Sequence, residues 1–380
     1  MISMKKASTV NGWLFLVVIS SGFLSLLLPV ADFFINEKTA WEQFREGELV
    51  RRLERQVDKV FILRDPSISM WADASYVLFH SGRPGVLVGN DDWLFSREEF
   101  YYDARSAANL KSNLNQVVAT SCQLRALGKK LLVIPVPAKR RLYSDQARRQ
   151  VVLDMDNLYP GITQRLSAAG IPWLDTLSVL QQASHHGPVF MRTDTHWSPW
   201  GARAVAGGVA ATMALPGRQE FRTVESKVEV FQGDLLRYLP TSKGVGPKGD
   251  EPLVRYQTSL SSSVQDEQAL LGDAIPAVAL VGTSYSAMDE WHFPGFLKEE
   301  MGQDVLVYAL EAQGPFAAMR EFLQGPAARD PRVTHVLWEL PERALIQSMD
   351  VIVEGDKHAC LDSQSAATLE FAGLGRPGRR

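Results

Sequence analysis

An apolar run follows a turn signal in the stretch Gly128-Lys129-Lys130-Leu131-Leu132-Val133-Ile134-Pro135 of this 380-residue chain. A continuous apolar run of this length is typical of a β-strand that is buried on both faces of a parallel sheet. A helical pattern over residues 106–127 precedes it, and Gly128 is suited to the end of that helix. A glycine-capped helix that leads into a buried strand is half of a βαβ unit.

The same alternation returns further along the chain. A helical segment over residues 159–169 leads into a short run at residues 170–175, and more apolar runs lie at residues 277–281, 304–310 and 333–339. Short buried strands that alternate with helices predict an α/β fold, in which a doubly wound parallel sheet carries helices on both faces. A turn between two β-rich runs predicts a hairpin over residues 86–95.

Two segments depart from this alternation. Residues 218–268 are rich in Ser, Lys, Gly and Thr and contain short alternating runs. They predict a small β insertion or a pair of mobile loops over the carboxyl edge of the sheet, where open α/β folds bind ligands. Residues 351–380 have little pattern and are predicted to form a mobile tail. The main domain is therefore expected over residues 85–350.

The N-terminus predicts a membrane anchor. Lys5 and Lys6 precede residues 7–31, which carry no charge and are long enough to span a bilayer. We interpret residues 1–36 as a cytoplasmic tip and an uncleaved signal anchor, because a signal peptide would have a shorter apolar region and a small-residue cleavage site. The two lysines favour the cytoplasmic side, which places the rest of the chain outside the cytoplasm. Residues 37–84 are a helical lead-in, with an amphipathic pattern over residues 36–62.

Composition narrows the function classes. With 46% hydrophobic residues the chain can build a large core, and a net charge of −3 argues against a nucleic-acid-binding protein. Cys122 and Cys360 are the two cysteines, which excludes a disulfide scaffold and a cysteine zinc site. Whether these two pair stays open, since a disulfide requires a specific separation of the two Cα atoms.

An acid and an imidazole lie two residues apart at Asp194 and His196. In an extended segment residues i and i+2 project to the same face, so the carboxylate would orient the ring and Thr195 would point away. Ser198 is a suitable N-cap and Pro199 a suitable first residue for a helix that runs to Met213. Taken alone, such a pair is more often structural or incidental than catalytic, because the chain has seven histidines.

A serine follows the run at residues 277–281, in the stretch Gly282-Thr283-Ser284-Tyr285-Ser286. A strand end that turns sharply at a glycine is where α/β enzymes expose a nucleophile, so Ser284 is the candidate nucleophile and Ser286 the second choice. A serine hydroxyl requires a hydrogen-bonded base, which Asp194 and His196 would supply if the strands ending near Arg192 and Val281 were neighbours. The alternative is that these serines only cap a helix.

Taken together, these motifs resemble those of the alginate O-acetyltransferase family, whose catalytic domain has an SGNH-hydrolase-like fold. The resemblance covers roughly residues 85–345 and rests on residues 194–197, 282–286, 89–95, 233–235 and 338–343. It implies a circularly permuted fold with Ser284 as nucleophile, His196 as base and acid, and Asp194 as the orienting carboxylate. Asp92 departs from the glycine of the family pattern, although aspartate tolerates a positive φ better than most residues.

The resemblance also implies a periplasmic, inner-membrane-anchored enzyme that acetylates an exopolysaccharide, either alginate or cellulose, without a cofactor or a metal. The chain lacks a glycine-rich phosphate loop for acetyl-coenzyme A. The expected partners are therefore a membrane-bound O-acyltransferase that supplies acetyl groups, the polymer, and other polysaccharide acetylation or secretion subunits.

Several further residues are candidates for contacts at the site. The oxyanion donors are expected to be the Ser284 N–H with Gly314 or Gln313. Tyr285 either packs inward or lines the pocket, and Trp197 either packs or supports a sugar. Further candidates come from a basic stretch, in which Lys139 and Arg140 either bind a uronate carboxylate or belong to a solvated loop.

Three functions remain at this point: an acetyltransferase, a carbohydrate acetylesterase in which water replaces the sugar, and a non-catalytic subunit of a modification or secretion complex. The retained Asp194, His196 and Ser284 argue against the last, because a scaffold has no physical need for an oriented acid–imidazole pair.

Overall fold

The computed structural model describes residues 4–36, 44–148, 153–217, 219–261 and 275–352. The chain forms two compact units, one of residues 1–80 with 239–246 and one of residues 81–238 with 247–380. Part of the predicted lead-in, most of the predicted tail and Cys360 lie outside the described residues.

The first unit is helical. It contains α1 (Met4–Asn36), α2 (Glu48–Val60) and α3 (Arg64–Phe79). Within α1, residues Val10–Ile35 are long and apolar enough to cross a membrane. The amphipathic pattern includes α2, which begins after Gly47 in a left-handed conformation.

The second unit is built on a four-stranded parallel sheet. Its strands are β3 (Lys130–Val136), β6 (Val278–Gly282), β7 (Val305–Ala309) and β8 (His335–Pro341), in the order β3-β8-β6-β7. The run predicted at residues 170–175 contributes one parallel bridge, between Trp173 and Val133. The predicted parallel α/β architecture is confirmed.

Alternate residues of the buried strands face two separate hydrophobic cores. Val133, Val281 and Trp338 face one core, which is covered by three helices: α4 (Ala104–Ala126), α6 (Leu158–Ala168) and α11 (Gly314–Gln324). Leu132 and Leu280 face the other, which is covered by α7 (Thr176–Ser184), α8 (Pro199–Met213) and α10 (Phe293–Met301). Successive side chains of a strand point to opposite faces of the sheet. Because both faces are covered by a core, the runs are continuously apolar.

The described part of this unit also contains two antiparallel strand pairs and two short α-helices. They are β1 (Val86–Val88) with β2 (Leu94–Ser96), β4 (Phe221–Gln232) with β5 (Asp250–Leu260), α5 (Leu153–Asp156) and α9 (Ser284–Ala287). The turn between β1 and β2 holds Asp91 and Asp92 at φ values of 49° and 64°. Asp92 therefore adopts the positive φ that a glycine would favour.

The segment in which the insertion was expected contains the long β4–β5 pair, with a 3-10 helix at Asp234–Tyr238 between the two strands. Its ends at Gly233 and Glu251 contact the loop that contains Asp194 and His196. Residues 218 and 262–268 of the predicted range lie outside the described part of the chain.

Candidate active site

Ser284 lies directly after the carboxyl end of β6, at the first residue of α9. Thr283 caps this helix, and its hydroxyl accepts a hydrogen bond from the Tyr285 N–H (3.4 Å). Ser284 is partly exposed, whereas Tyr285 and Ser286 are buried. The turn therefore presents the Ser284 hydroxyl at the surface of the site.

A chain of hydrogen bonds joins the three residues predicted from the sequence. The Ser284 Oγ lies 2.7 Å from the His196 Nε2, and the His196 Nδ1 lies 2.6 Å from the Asp194 Oδ1. Because an ionised carboxylate can only accept, Asp194 favours the tautomer with its proton on Nδ1. The unprotonated Nε2 can then accept the proton of Ser284.

The environment of Asp194 keeps its carboxylate ionised. Burial raises its pKa, but the hydrogen bond and charge of His196, together with main-chain N–H donors, outweigh this and lower the pKa to about 2. The main-chain donors are Asp234 N–H to Oδ2 (2.7 Å) and His196 N–H to Oδ1 (2.9 Å). Asp194 can therefore stabilise a positive charge on His196.

The acid and the imidazole are brought together by a turn. The prediction of a strand ending near Arg192 is wrong, because residues 192–196 form bends closed by a single antiparallel bridge between Phe190 and Trp197. The Asp194 side chain accepts from the N–H two residues ahead, which is the bond that defines an Asx-turn. The predicted helix start is confirmed, since Ser198 caps α8 and Pro199 is its first residue.

The base of the β4–β5 pair holds this turn from one side. Asp234 accepts from both the N–H and the hydroxyl of Thr195, each at 2.9 Å. The expectation that Thr195 points away from the ring is wrong, because its Oγ1 bonds Asp234 and also lies 3.3 Å from the His196 Nδ1. A Cβ at Gly233 would lie 2.2 Å from the carbonyl of Thr193, so only glycine allows this close approach.

The Lys139 ammonium binds the main chain of the turn that contains Asp194. It is 1% exposed, and its ammonium donates to the carbonyls of Met191 (3.1 Å), Arg192 (3.2 Å) and Asp194 (2.7 Å). Burial lowers the pKa of Lys139 to about 8, against the opposing effect of nearby carboxylates. Lys139 fits neither alternative raised from the sequence, a uronate contact or a solvated loop, because its donors face main-chain carbonyls and its side chain does not reach solvent. Glu251 accepts the N–H groups of Arg192 and Thr193, both at 2.7 Å.

Aromatic rings enclose His196. Trp291 stacks on the imidazole at 5.3 Å between centroids, and Tyr285 meets it edge-on at 4.7 Å. Tyr285 packs inward, and its hydroxyl donates to the Thr195 carbonyl (2.7 Å). Trp197 is fully buried and donates to the Tyr285 carbonyl (3.2 Å), so it packs and does not form a sugar platform.

Of the remaining candidates, Arg140 and Ser286 are buried in contacts of their own, whereas Gln313 and Gly314 lie close in sequence to the end of a strand beside β6. Arg140 is buried and donates to Asp156 (2.9 Å) and to the Met155 carbonyl (2.6 Å), so it too fits neither a uronate contact nor a solvated loop. Ser286 is buried with its hydroxyl on Glu339 (3.1 Å), which removes it as an alternative nucleophile. Gln313 and Gly314 lie at the start of α11, after the strand next to β6, and their oxyanion role stays a prediction.

Asp194, His196 and Asp234 each place one possible metal-ligating atom within 4.8 Å of the others. Their hydrogen bonds already account for these atoms: Asp194 bonds His196, and both oxygens of Asp234 accept from Thr195. We therefore interpret the cluster as a hydrogen-bond network. Asp234 was part of the family resemblance and Lys139 a candidate for substrate contact, but neither these two residues nor Glu251 was predicted to hold the turn that contains Asp194 and His196.

Comparison with known proteins identifies the family. The sequence model described as "SGNH hydrolase-like domain, acetyltransferase AlgX" matches residues 86–342, more than half of the chain. The chain belongs to this SGNH hydrolase-like acetyltransferase family. The family assignment confirms the predicted enzyme class, and the Asp-His pair precedes the serine as expected of a permuted member.

Individual members of the family resemble most of the chain. The probable alginate O-acetylase AlgJ of Pseudomonas aeruginosa is 38% identical over 325 residues, covering 80% of this chain and 82% of that protein. The O-acetyltransferase domain of Pseudomonas putida AlgJ superposes with a TM-score of 0.66 at 32% identity, covering 74% of this chain and 100% of that one. Pseudomonas aeruginosa AlgX, at 20% identity and a TM-score of 0.52, shares the fold.

Proposed function

We propose that the protein transfers an acetyl group through Ser284 onto a hydroxyl of an exopolysaccharide. The observation that carries this proposal is the hydrogen-bonded chain from the partly exposed Ser284 to His196 and on to the buried, ionised Asp194. This arrangement activates a serine hydroxyl that would otherwise be inert near neutral pH.

The reaction has two half-reactions. In the first, the Ser284 Oγ attacks the acetyl carbonyl of a donor ester while His196 takes the hydroxyl proton. His196 then returns that proton to the leaving group, and an acetyl-serine remains. In the second, His196 accepts the proton of a sugar hydroxyl, whose oxygen attacks the acetyl carbonyl. The bond to Ser284 breaks, and the proton on His196 restores the serine.

The tetrahedral intermediates require donors for the oxyanion, and each such donor typically contributes about 3 kcal/mol. We assign the first donor to the Ser284 N–H. The second is expected from Gln313 or Gly314, because β7 is hydrogen-bonded to β6 and the Leu310 N–H donates to the Gly282 carbonyl (3.2 Å). The segment after β7 therefore runs beside the nucleophile turn.

We propose that the acceptor is alginate, the polymer named for the relatives with 38% and 37% identity. A neutral glucan such as cellulose is the competing acceptor. The burial of Lys139 and Arg140 favours it, because these two cations are then not available to bind a uronate carboxylate. Mass spectrometry of uronate and glucan oligosaccharides after incubation with the acetylated protein distinguishes the two. Acetylation of cello-oligosaccharides alone would refute the alginate assignment.

The location of the reaction follows from α1. We propose that Val10–Ile35 anchors the chain in the inner membrane and that the catalytic unit lies in the periplasm. Acetyl groups must then reach Ser284 from a membrane-bound O-acyltransferase. Alginate proteins such as AlgX also resemble this chain, which supports assembly with other polysaccharide-modifying subunits.

The nucleophile is tested with p-nitrophenyl acetate as an activated donor. The full-length protein in detergent should release p-nitrophenol and gain one acetyl group in its intact mass, and Ser284→Ala should do neither. A chase with oligosaccharide should discharge the adduct faster than buffer does if the protein is a transferase and not an esterase. Undiminished release by Ser284→Ala would refute the assignment, and Ser184→Ala is the matched control that should keep the adduct, because the Ser184 hydroxyl donates to the Gln181 carbonyl at the end of α7.

A further inference from the structure

A second buried carboxylate lies behind the nucleophile turn. Glu339 is in β8, which pairs with β6, and it is fully buried. Its Oε2 accepts the Thr283 N–H (2.7 Å) and the Ser286 hydroxyl (3.1 Å), and both of its oxygens lie 3.0 Å from the Thr283 hydroxyl. These donors come from the residues on either side of Ser284 and Tyr285.

Glu339 is buried without a cationic partner among the described residues, in contrast to Glu342 three positions later. Glu342 is also fully buried, but both of its oxygens lie 2.8 Å from the Arg141 Nε. Burying a carboxylate without a cation is costly, and burial raises the pKa of Glu339 to about 7. A structural role alone would be filled at lower cost by an apolar residue, as in the rest of β8.

The absence of a side chain at Gly282 leaves room for the Glu339 carboxylate beside the nucleophile turn. A Cβ built on Gly282 would lie 2.6 Å from both the Glu339 Oε2 and the Ser286 Oγ, so the carboxylate packs directly against the glycine. The Thr283 N–H points inward to Glu339, and the chain must then turn for Ser284 to face His196. The conformation of the turn is thus tied to an acceptor on the neighbouring strand.

We propose that Glu339 is a positioning residue, which fixes the turn from Thr283 to Ser286 so that the Ser284 hydroxyl stays on His196 and the Ser284 N–H faces the oxyanion. This inference rests on the proposed acetyl transfer through Ser284. Above about pH 7, where Glu339 is ionised, its carboxylate accepts from every donor of the turn at once, which sets the direction of both hydroxyls. In Glu339→Gln an amide NH2 replaces one acceptor, so at least one donor of the turn must reorient.

The test compares Glu339→Gln with Glu342→Gln in the full-length protein, using p-nitrophenyl acetate. Misplacement of a reacting group by about 1 Å lowers rates on the order of 100-fold, so Glu339→Gln should lose about that factor in kcat with little change in KM. Glu342→Gln also neutralises a buried carboxylate of β8 but leaves the turn untouched, so its kcat should stay close to wild type. Thermal unfolding of both variants separates loss of fold from loss of positioning.

Thr283 provides a second test should Glu339→Gln not fold. Thr283→Ser keeps the hydroxyl donor and should retain kcat, whereas Thr283→Val loses it and should lower kcat at unchanged KM. A folded Glu339→Gln with the kcat of Glu342→Gln, or a Thr283→Val with wild-type kcat, would overturn the inference. Ser284→Ala is measured alongside: if it stays active the proposed function fails, and if it is inactive while Glu339→Gln is not, only the role of Glu339 fails.

Discussion

The burial of Glu339 predicts a specific pH dependence of stability. Burial raises its pKa from the ordinary 4.5 to about 7, and hydrogen bonds from Thr283 and Ser286 oppose this only in part. The difference of about 2.5 units corresponds to ~3 kcal/mol at 1.36 kcal/mol per unit. The side chain is fully buried, so solvent screening does not reduce this value substantially.

Because the pKa of Glu339 is raised in the folded protein, its contribution to stability decreases as the pH rises. The unfolded chain releases the Glu339 proton near pH 4.5, while the folded protein retains it until about pH 7. Between these values the folded state binds more protons, so the stability contributed by this group is complete below pH 4.5 and is lost as the pH rises through 7. Glu339→Gln cannot titrate. Its stability relative to wild type should therefore increase by ~3 kcal/mol between pH 4.5 and 8.

Thermal unfolding followed by tryptophan fluorescence measures this difference. One kcal/mol shifts the Tm of a domain of 150–250 residues by about 2–4 °C, so the gap between the two proteins should change by about 6 °C or more across this pH range. All other titrating groups are shared and cancel in the difference. Thr283→Ser keeps Glu339 and its donors, and its gap to wild type should not vary with pH. A constant gap for Glu339→Gln would refute the argument that burial controls this carboxyl.

Two further predictions concern the turn that contains Asp194 and His196. Asp194→Asn should lower acetyl release on the order of 10⁴-fold while the protein stays folded, because the amide does not favour the tautomer with the proton on Nδ1; release within about tenfold of wild type would contradict the proposed role of Asp194. Lys139→Met should cost about 3–5 kcal/mol in unfolding free energy, measured by thermal unfolding, because it leaves three carbonyls without their donor and nearby carboxylates without a cation. Arg148→Met, which changes an exposed side chain, is the matched control, and an equal loss in both would contradict the role of Lys139.

The parallel sheet could be predicted because its signal is local. Apolar runs and the Ser198-Pro199 helix start each depend on a few neighbouring residues, and the structure confirms four of the predicted strands and the helix start; the run at residues 170–175 forms only one bridge. Ser284, the candidate nucleophile, was predicted in the same way, from a strand end and a glycine, and it lies at the end of β6 as expected. The geometry of the Asp194–His196 pair was not, because an Asx-turn and an extended strand both bring residues i and i+2 together.

The buried charges could not be predicted, since polarity in a sequence normally indicates exposure. The stretch from Lys139 to Arg141 has the composition of a solvated loop, yet Lys139 is buried because its partners are carbonyls more than 50 residues away. Glu339 did leave a signal: it is a carboxylate within the continuously apolar run of β8, where an unpaired charge is costly. A charged residue inside a buried strand that ends at the active-site edge is therefore a candidate for a site residue.

The β4–β5 pair has a different part in the site from the one that its sequence suggested. A polar insertion between strands was expected to cover the site and exclude water. Instead, the base of the insertion bonds to the turn. Asp234 accepts from the Thr195 N–H and donates its own N–H to Asp194. Glu251 accepts from the Thr193 N–H, and Gly233 packs against the main chain of the turn. The insertion thus supplies the Asp234 N–H, which donates to Asp194 and helps to keep its carboxylate ionised. Replacing this segment with a short loop would remove part of the hydrogen-bond network that orients His196, and not merely a cover over Ser284.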